Sequence, residues 1–115
     1  MNQETAIEKR QHARKTFEKT IHIHQITGSI SNKAFVISGT PILGKAKDLS
    51  VDGMRLELPH DEPLSKTLKL SFELEKNEFL EIYSKQIWKK DFFCGLQFII
   101  WNDSLRQQLR NYLAL

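Results

Sequence analysis

Two short constellations in this chain have the residue types and the spacing for chemistry. Arg10-Gln11-His12-Ala13-Arg14, flanked by Lys9 and Lys15, sets two guanidiniums four residues apart in a polar stretch. Asp48-Leu49-Ser50-Val51-Asp52-Gly53 sets a carboxylate, a hydroxyl and a glycine at D-x-S-x-x-G spacing. The first offers positive charge and planar forks of N–H donors. The second offers an acceptor, a short hydroxyl and a turn whose backbone N–H groups can meet a small anion or a base edge. Taken alone, each also has a plain structural reading. The arginines fit a solvated charge run pairing with Glu8 and Glu18. D-x-S-x-x-G is what an ordinary turn looks like, because Asp and Ser bond to local backbone and Gly supplies a positive φ.

The elements around these residues decide how they can be presented. Met54-Arg55-Leu56-Glu57-Leu58 alternates directly after the turn, which predicts a strand with Met54, Leu56 and Leu58 on one face and Arg55 and Glu57 on the other. Ile42 to Lys47 climbs into the turn as the preceding strand. Upstream, residues 1 to 18 carry many charges without sustained periodicity and read as a basic arm that is mobile without ligand. A helical turn there would put Arg10 and Arg14 on one face.

From Thr20 the pattern becomes period two. Ile21 and Ile23 alternate with His22 and His24, which predicts a first strand with solvent-facing histidines. Two histidines without a nearby carboxylate or cysteine make an incomplete metal site, so no metal is expected. Thr27-Gly28-Ser29 and Ser31-Asn32-Lys33 are turn-rich, Ala34 to Ile37 is a second strand, and Ser38-Gly39-Thr40-Pro41 breaks it. Thr67 to Leu74 alternates cleanly, with Leu68, Leu70, Phe72 and Leu74 inward. A turn at Glu75-Lys76-Asn77-Glu78 leads to a strand from Phe79 to about Lys89. Its phase slips, since Leu80 and Ile82 share a parity and Ile87 has the other; a β-bulge would restore Ile87 to the inward face and leave Trp88 outside. Lys90-Asp91 turns the chain into a last strand, Phe92 to Trp101. Asn102-Asp103-Ser104 starts a helix whose Leu105, Leu109 and Leu113 recur at i+4 and should cover an open end of the sheet.

The order and separation of the two motifs, with Gln86-Ile87-Trp88, Cys94-Gly95-Leu96-Gln97-Phe98 and the terminal helix, resemble the PilZ domain, the bacterial receptor module for cyclic di-GMP. The resemblance runs from about residue 8 to 115. It implies a mainly β fold: a small antiparallel barrel over residues 19–115, closed by a C-terminal helix and preceded by the flexible basic arm of residues 1–18. It also implies a set of ligand-binding residues. Arg10 and Arg14 would serve phosphate oxygens and the O6/N7 acceptors of guanine. Asp48 would accept from guanine N1–H and its amino group, Ser50 would add a hydroxyl, and Gly53 would let the backbone approach. Lys9 stands where the family often has another arginine and keeps the charge without the fork, which bears on whether one ligand or an intercalated pair is held. Asp52 stands where glycine is frequent and brings a negative charge near phosphates. Trp88 is placed to stack on a guanine or, alternatively, to cover the sheet. The family resemblance further implies that the arm folds over the ligand and that the new surface engages a separate protein, in motility, pili, polysaccharide synthesis or transcription.

Composition is compatible with this. The chain of 115 residues, 40% hydrophobic and 27% charged, suits one domain with one core. Its net charge of +3 favours an anionic ligand, and Lys9, Arg10, Arg14, Lys15 and Lys19 concentrate that charge in the arm. The single Cys94 lies in an apolar run and reads as a buried thiol in a reducing compartment. The polar start lacks an apolar leader and no run is long enough to span a bilayer, so a cytoplasmic location without membrane insertion is expected. No cofactor is expected. Two other functions fit the same residues: a scaffold of this fold acting through protein contacts without ligand, or a barrel binding single-stranded nucleic acid through Trp88, Lys85, Lys89 and Lys90. The concentration of charge in the arm disfavours the last. An enzyme is not expected, because His12, His22, His24 and His60 fit no catalytic signature around Ser50.

Overall fold

Alternating apolar residues build a closed antiparallel barrel. The computed structural model describes residues 15, 16, 18–29, 32–100 and 102–114. Lys9, Arg10 and Arg14, and what was expected of them, lie outside the described residues. The strands are β1 (Lys15–Thr16), β2 (Thr20–Ser29), β3 (Ala34–Ile37), β4 (Ile42–Leu49), β5 (Gly53–Glu57), β6 (Thr67–Glu75), β7 (Glu78–Lys90) and β8 (Phe93–Ile99), followed by helix α1 (Asp103–Leu113). Their order is β1-β4-β5-β8-β7-β6-β2-β3, and β2 also pairs with β4, Thr20–Ile23 against Ile42–Lys45. That pairing joins β2, β4, β5, β8, β7 and β6 into a six-stranded ring, which removes the open edges. β1 and β3 hang outside the ring on β4 and β2.

The core sits inside the ring. Leu68, Leu70, Phe72 and Leu74 of β6 all point inward, as their alternation requires, and Ile21, Ile23, Leu56 and Ile82 meet them from other strands. Helix α1 begins where Asn102 accepts a 2.8 Å hydrogen bond from the Leu105 N–H, an N-cap that satisfies one orphan donor. Leu109 and Leu113 are buried, so the helix closes the core with its leucine stripe. Burying each leucine contributes about 1.5–3 kcal/mol. Among the described residues no helix is long and apolar enough to cross a membrane.

Three local expectations are corrected. Thr27-Gly28-Ser29 is not a turn but the end of β2, paired with β3 from Thr27↔Val36 to Ser29↔Ala34. Gly28, at φ +106°, takes a conformation that side chains resist, and a Cβ there would run into the Ala34 carbonyl. β3 and β4 follow one another along the same edge of β2, interrupted at Ser38–Pro41, where the Ser38 N–H still bonds to the Gln25 carbonyl at 2.9 Å. The long stretch between the motifs is thus one bent hairpin arm. His24 is not simply solvated: its Nδ1 donates to the Ser38 carbonyl at 2.8 Å. The bulge in β7 exists, between Gln86 and Trp88 opposite β8, but Ile87 is its extra residue and is 59% exposed instead of inward.

Candidate functional site

Two bulges bring the site together. In β4 the register shifts at Lys47, so that Asp48 stands opposite Arg55 of β5. Arg55 stands opposite Gly95 of β8, and the shift at Ile87 puts Trp88 of β7 opposite Gly95 as well. Asp48, Arg55, Gly95 and Trp88 therefore form one row across four adjacent strands. Their neighbours Leu49, Leu56, Cys94 and Leu96 fill the core, so the row lies on the outer face. At an inter-strand spacing of about 4.8 Å it runs roughly 14 Å.

A groove of about 290 Å³ opens along this row, lined by Ser50, Asp52, Gly53, Arg55, Ile87, Trp88 and Gln97 among others. Trp88 forms its apolar side. The indole is 44% exposed, and its five-membered ring covers Gly95: a Cβ there would stand 2.6 Å from Cε2 and 2.8 Å from Cδ1. The outward position of Trp88 follows from this pairing, not from an inward Ile87. Beyond the groove's lining, at the other end of the row, Asp48 is ion-paired with Arg55, Nε to Oδ2 3.4 Å.

The D-x-S-x-x-G turn connects β4 to β5 and is held by its own serine. Ser50 is buried, and its Oγ accepts from the N–H groups of Asp52 at 3.3 Å and Gly53 at 3.2 Å. The Ser50 N–H donates to the Gly53 carbonyl at 2.9 Å. The hydroxyl thus shapes the backbone of the groove floor. Gly53 is needed for a different reason than a positive φ, which it does not adopt: a Cβ would run into the Leu96 carbonyl of β8. The Asp52 carbonyl accepts from the Phe98 N–H at 2.7 Å, which ties the exposed turn to β8.

The base of the arm lies against the same end. Lys15 pairs with Leu49 and Thr16 with Asp48, and the Ala46 N–H donates to the Lys19 carbonyl at 2.9 Å. Lys47, the bulged residue, places Nζ 3.1 Å from Glu18 and 3.4 Å from Glu57. The hydrogen bonds that Lys47 donates to Glu18 and then to Glu57 raise its pKa above the ordinary lysine value. In the sequence Arg14 directly precedes Lys15, the first residue of β1.

Arg55 is the site residue that sequence reasoning did not single out. Its signal was its outward place in the strand after the turn; what alternation could not supply was its partner, Asp48. Cys94 sits behind the row in the core, where burial pushes its thiol up to about 11 and leaves it a poor nucleophile.

Comparison with known proteins agrees with this architecture. Among solved structures the chain is similar to the inhibitor of motility MotI/DgrA of Bacillus subtilis, with a TM-score of 0.62 at 15% identity, over 94% of this chain and 50% of that one. That likeness is one of fold, and the chain spans half the length of that protein. No curated protein matches the chain. The PilZ domain family model matches residues 8–115, from ahead of the arm arginines through the barrel and the helix. This chain belongs to the PilZ domain family.

Proposed function

We propose that this chain is a non-enzymatic receptor for cyclic di-GMP, acting in the cytoplasm and passing its signal to a separate protein. The observation that carries the reading is the row from Asp48 to Trp88, with the base of the arginine arm paired beside Asp48. A ligand with two phosphates and two guanines needs an acceptor for a guanine edge, a stacking surface and cations. In this reading Asp48 takes the guanine N–H groups and Trp88 stacks, which is worth about 1–3 kcal/mol per base. Arg10 and Arg14 supply the forks for phosphate and for O6/N7, and Lys9 adds charge. Ser50 and Gly53 act through the turn, one by bonding its N–H groups and the other by letting β5 lie close to β8.

Ordering of residues ahead of β1 over the groove would present a new surface to a partner. An output on motility suits the printed name of the structural neighbour, an inhibitor of motility. The test is isothermal titration with cyclic di-GMP, with GTP and cyclic di-AMP as controls. Selective saturable heat is expected, and its stoichiometry reads what Lys9 permits at the second-ligand position. Absence of heat together with unchanged amide chemical shifts at Asp48, Ser50 and Arg55 would refute the receptor reading and favour a scaffold acting by protein contacts alone.

A further inference from the structure

We propose that Arg55 determines base specificity: with Asp48 it forms a fixed acceptor–donor pair that complements the whole Watson–Crick edge of guanine. The inference rests on the receptor reading above. Asp48 and Arg55 are register partners on adjacent strands, and their side chains meet at 3.4 Å through Arg55 Nε. Arg55 lines the groove and its side chain is 46% exposed, whereas that of Asp48 is 23% exposed. β5 is paired on both sides, by β4 and β8, so the arginine is mounted on rigid backbone.

The chemistry follows from the order of groups on the base. Guanine presents O6, N1–H and the 2-amino group side by side. A carboxylate can take N1–H and the amino group, which leaves O6 needing a donor directly beside that carboxylate. Arg55 is the cation that stands there; with Nε toward Asp48, its two terminal NH₂ groups carry the remaining donors of the guanidinium. Adenine offers an amino group where guanine has O6 and an acceptor where guanine has N1–H. Against this pair it sets donor to donor and acceptor to acceptor, and polar groups left unpaired where the base covers them are what reject the wrong ligand.

The experiment is titration of the wild type, Arg55→Leu and Arg55→Gln with cyclic di-GMP and cyclic di-AMP. Arg55→Leu should lose about tenfold or more in affinity for cyclic di-GMP and narrow the guanine-over-adenine ratio by a similar factor. Arg55→Gln, which keeps a neutral amide donor, should recover part of both. The exposed position predicts that both variants fold with unchanged thermal midpoints within a few degrees. Unchanged affinity and ratio in Arg55→Leu, or an equal loss for both ligands, would overturn the assignment of Arg55 while leaving the receptor reading intact. A wild type that does not bind cyclic di-GMP would remove both.

Discussion

The five-membered ring of Trp88 fills the space over Gly95 that any side chain at that position would occupy. The two residues are cross-strand partners, and a bulge one residue earlier makes them so. Glycine thus lays the indole down along the sheet and gives the groove its apolar wall.

Gly95→Ala should lift the ring. In a Trp101→Phe background, where Trp88 alone reports, its fluorescence should shift to the red and become more accessible to acrylamide. Stability should change by less than about 1 kcal/mol, because a half-exposed ring can move and alanine is the better strand residue. An unchanged emission spectrum would contradict the packing described.

Gly53→Ala meets backbone instead of a ring. The new Cβ points at the Leu96 carbonyl, so β5 and β8 must separate. A loss of about 2 kcal/mol or more is expected in urea unfolding, in the range for overpacking. Gly39→Ala is the control, since nothing lies within 4 Å of its Cβ position. It should stay within about 0.5 kcal/mol.

Ser50→Ala leaves the N–H groups of Asp52 and Gly53 without their shared acceptor. Loss of a buried partner of this kind costs about 1–3 kcal/mol. Faster amide hydrogen exchange at Asp52 and Gly53 should accompany it; exchange as slow as in the wild type would argue against the bonding assigned to the hydroxyl.

Arg10→Ala and Arg14→Ala should each weaken cyclic di-GMP binding by about tenfold or more, the effect of a charged hydrogen bond worth about 1.5–3 kcal/mol. Titration of each variant checks this, and affinity equal to the wild type in both would remove the arm from the site.

The folded thiol of Cys94 titrates at about 11, above its unfolded value of 9.0, because burial disfavours the thiolate. The native state therefore holds this proton more tightly. Its contribution is complete below pH 9 and is lost as pH rises toward 11. Urea midpoints of the wild type should fall more steeply over that window than those of Cys94→Ala; parallel slopes would contradict it.

Much of this molecule was legible in the chain because local alternation and caps agree with the fold. Leu68 to Leu74 kept their phase through β6, and Asn102 capped the helix it announces. Ile87 escaped because period two cannot say which residue a bulge ejects; only the partner strand, Leu96 and Gly95 of β8, settles that. Thr27-Gly28-Ser29 looked like a turn because glycine serves a positive φ inside a hairpin as readily as between strands. Arg55 escaped for a third reason. It faces Asp48 across the hairpin of β4 and β5, in a register that a bulge at Lys47 sets and that period two alone does not reveal.

The pairing of Lys15 and Thr16 with Leu49 and Asp48 also has a consequence for affinity. On the receptor reading proposed above, a tether fixed there would make capture by the arm an intramolecular event, with its cations acting at an effective concentration set by chain length, in the millimolar range for short flexible linkers. Arg10 stands six positions before Thr16, a reach of at most about 20–22 Å, longer than the row from Asp48 to Trp88. Arg10 therefore has the chain length to span the row, whereas Arg14, two positions from Thr16, has a backbone reach of about 7 Å and is confined to the Asp48 end. Lengthening the chain between Arg14 and Lys15 would dilute them without touching a single contact.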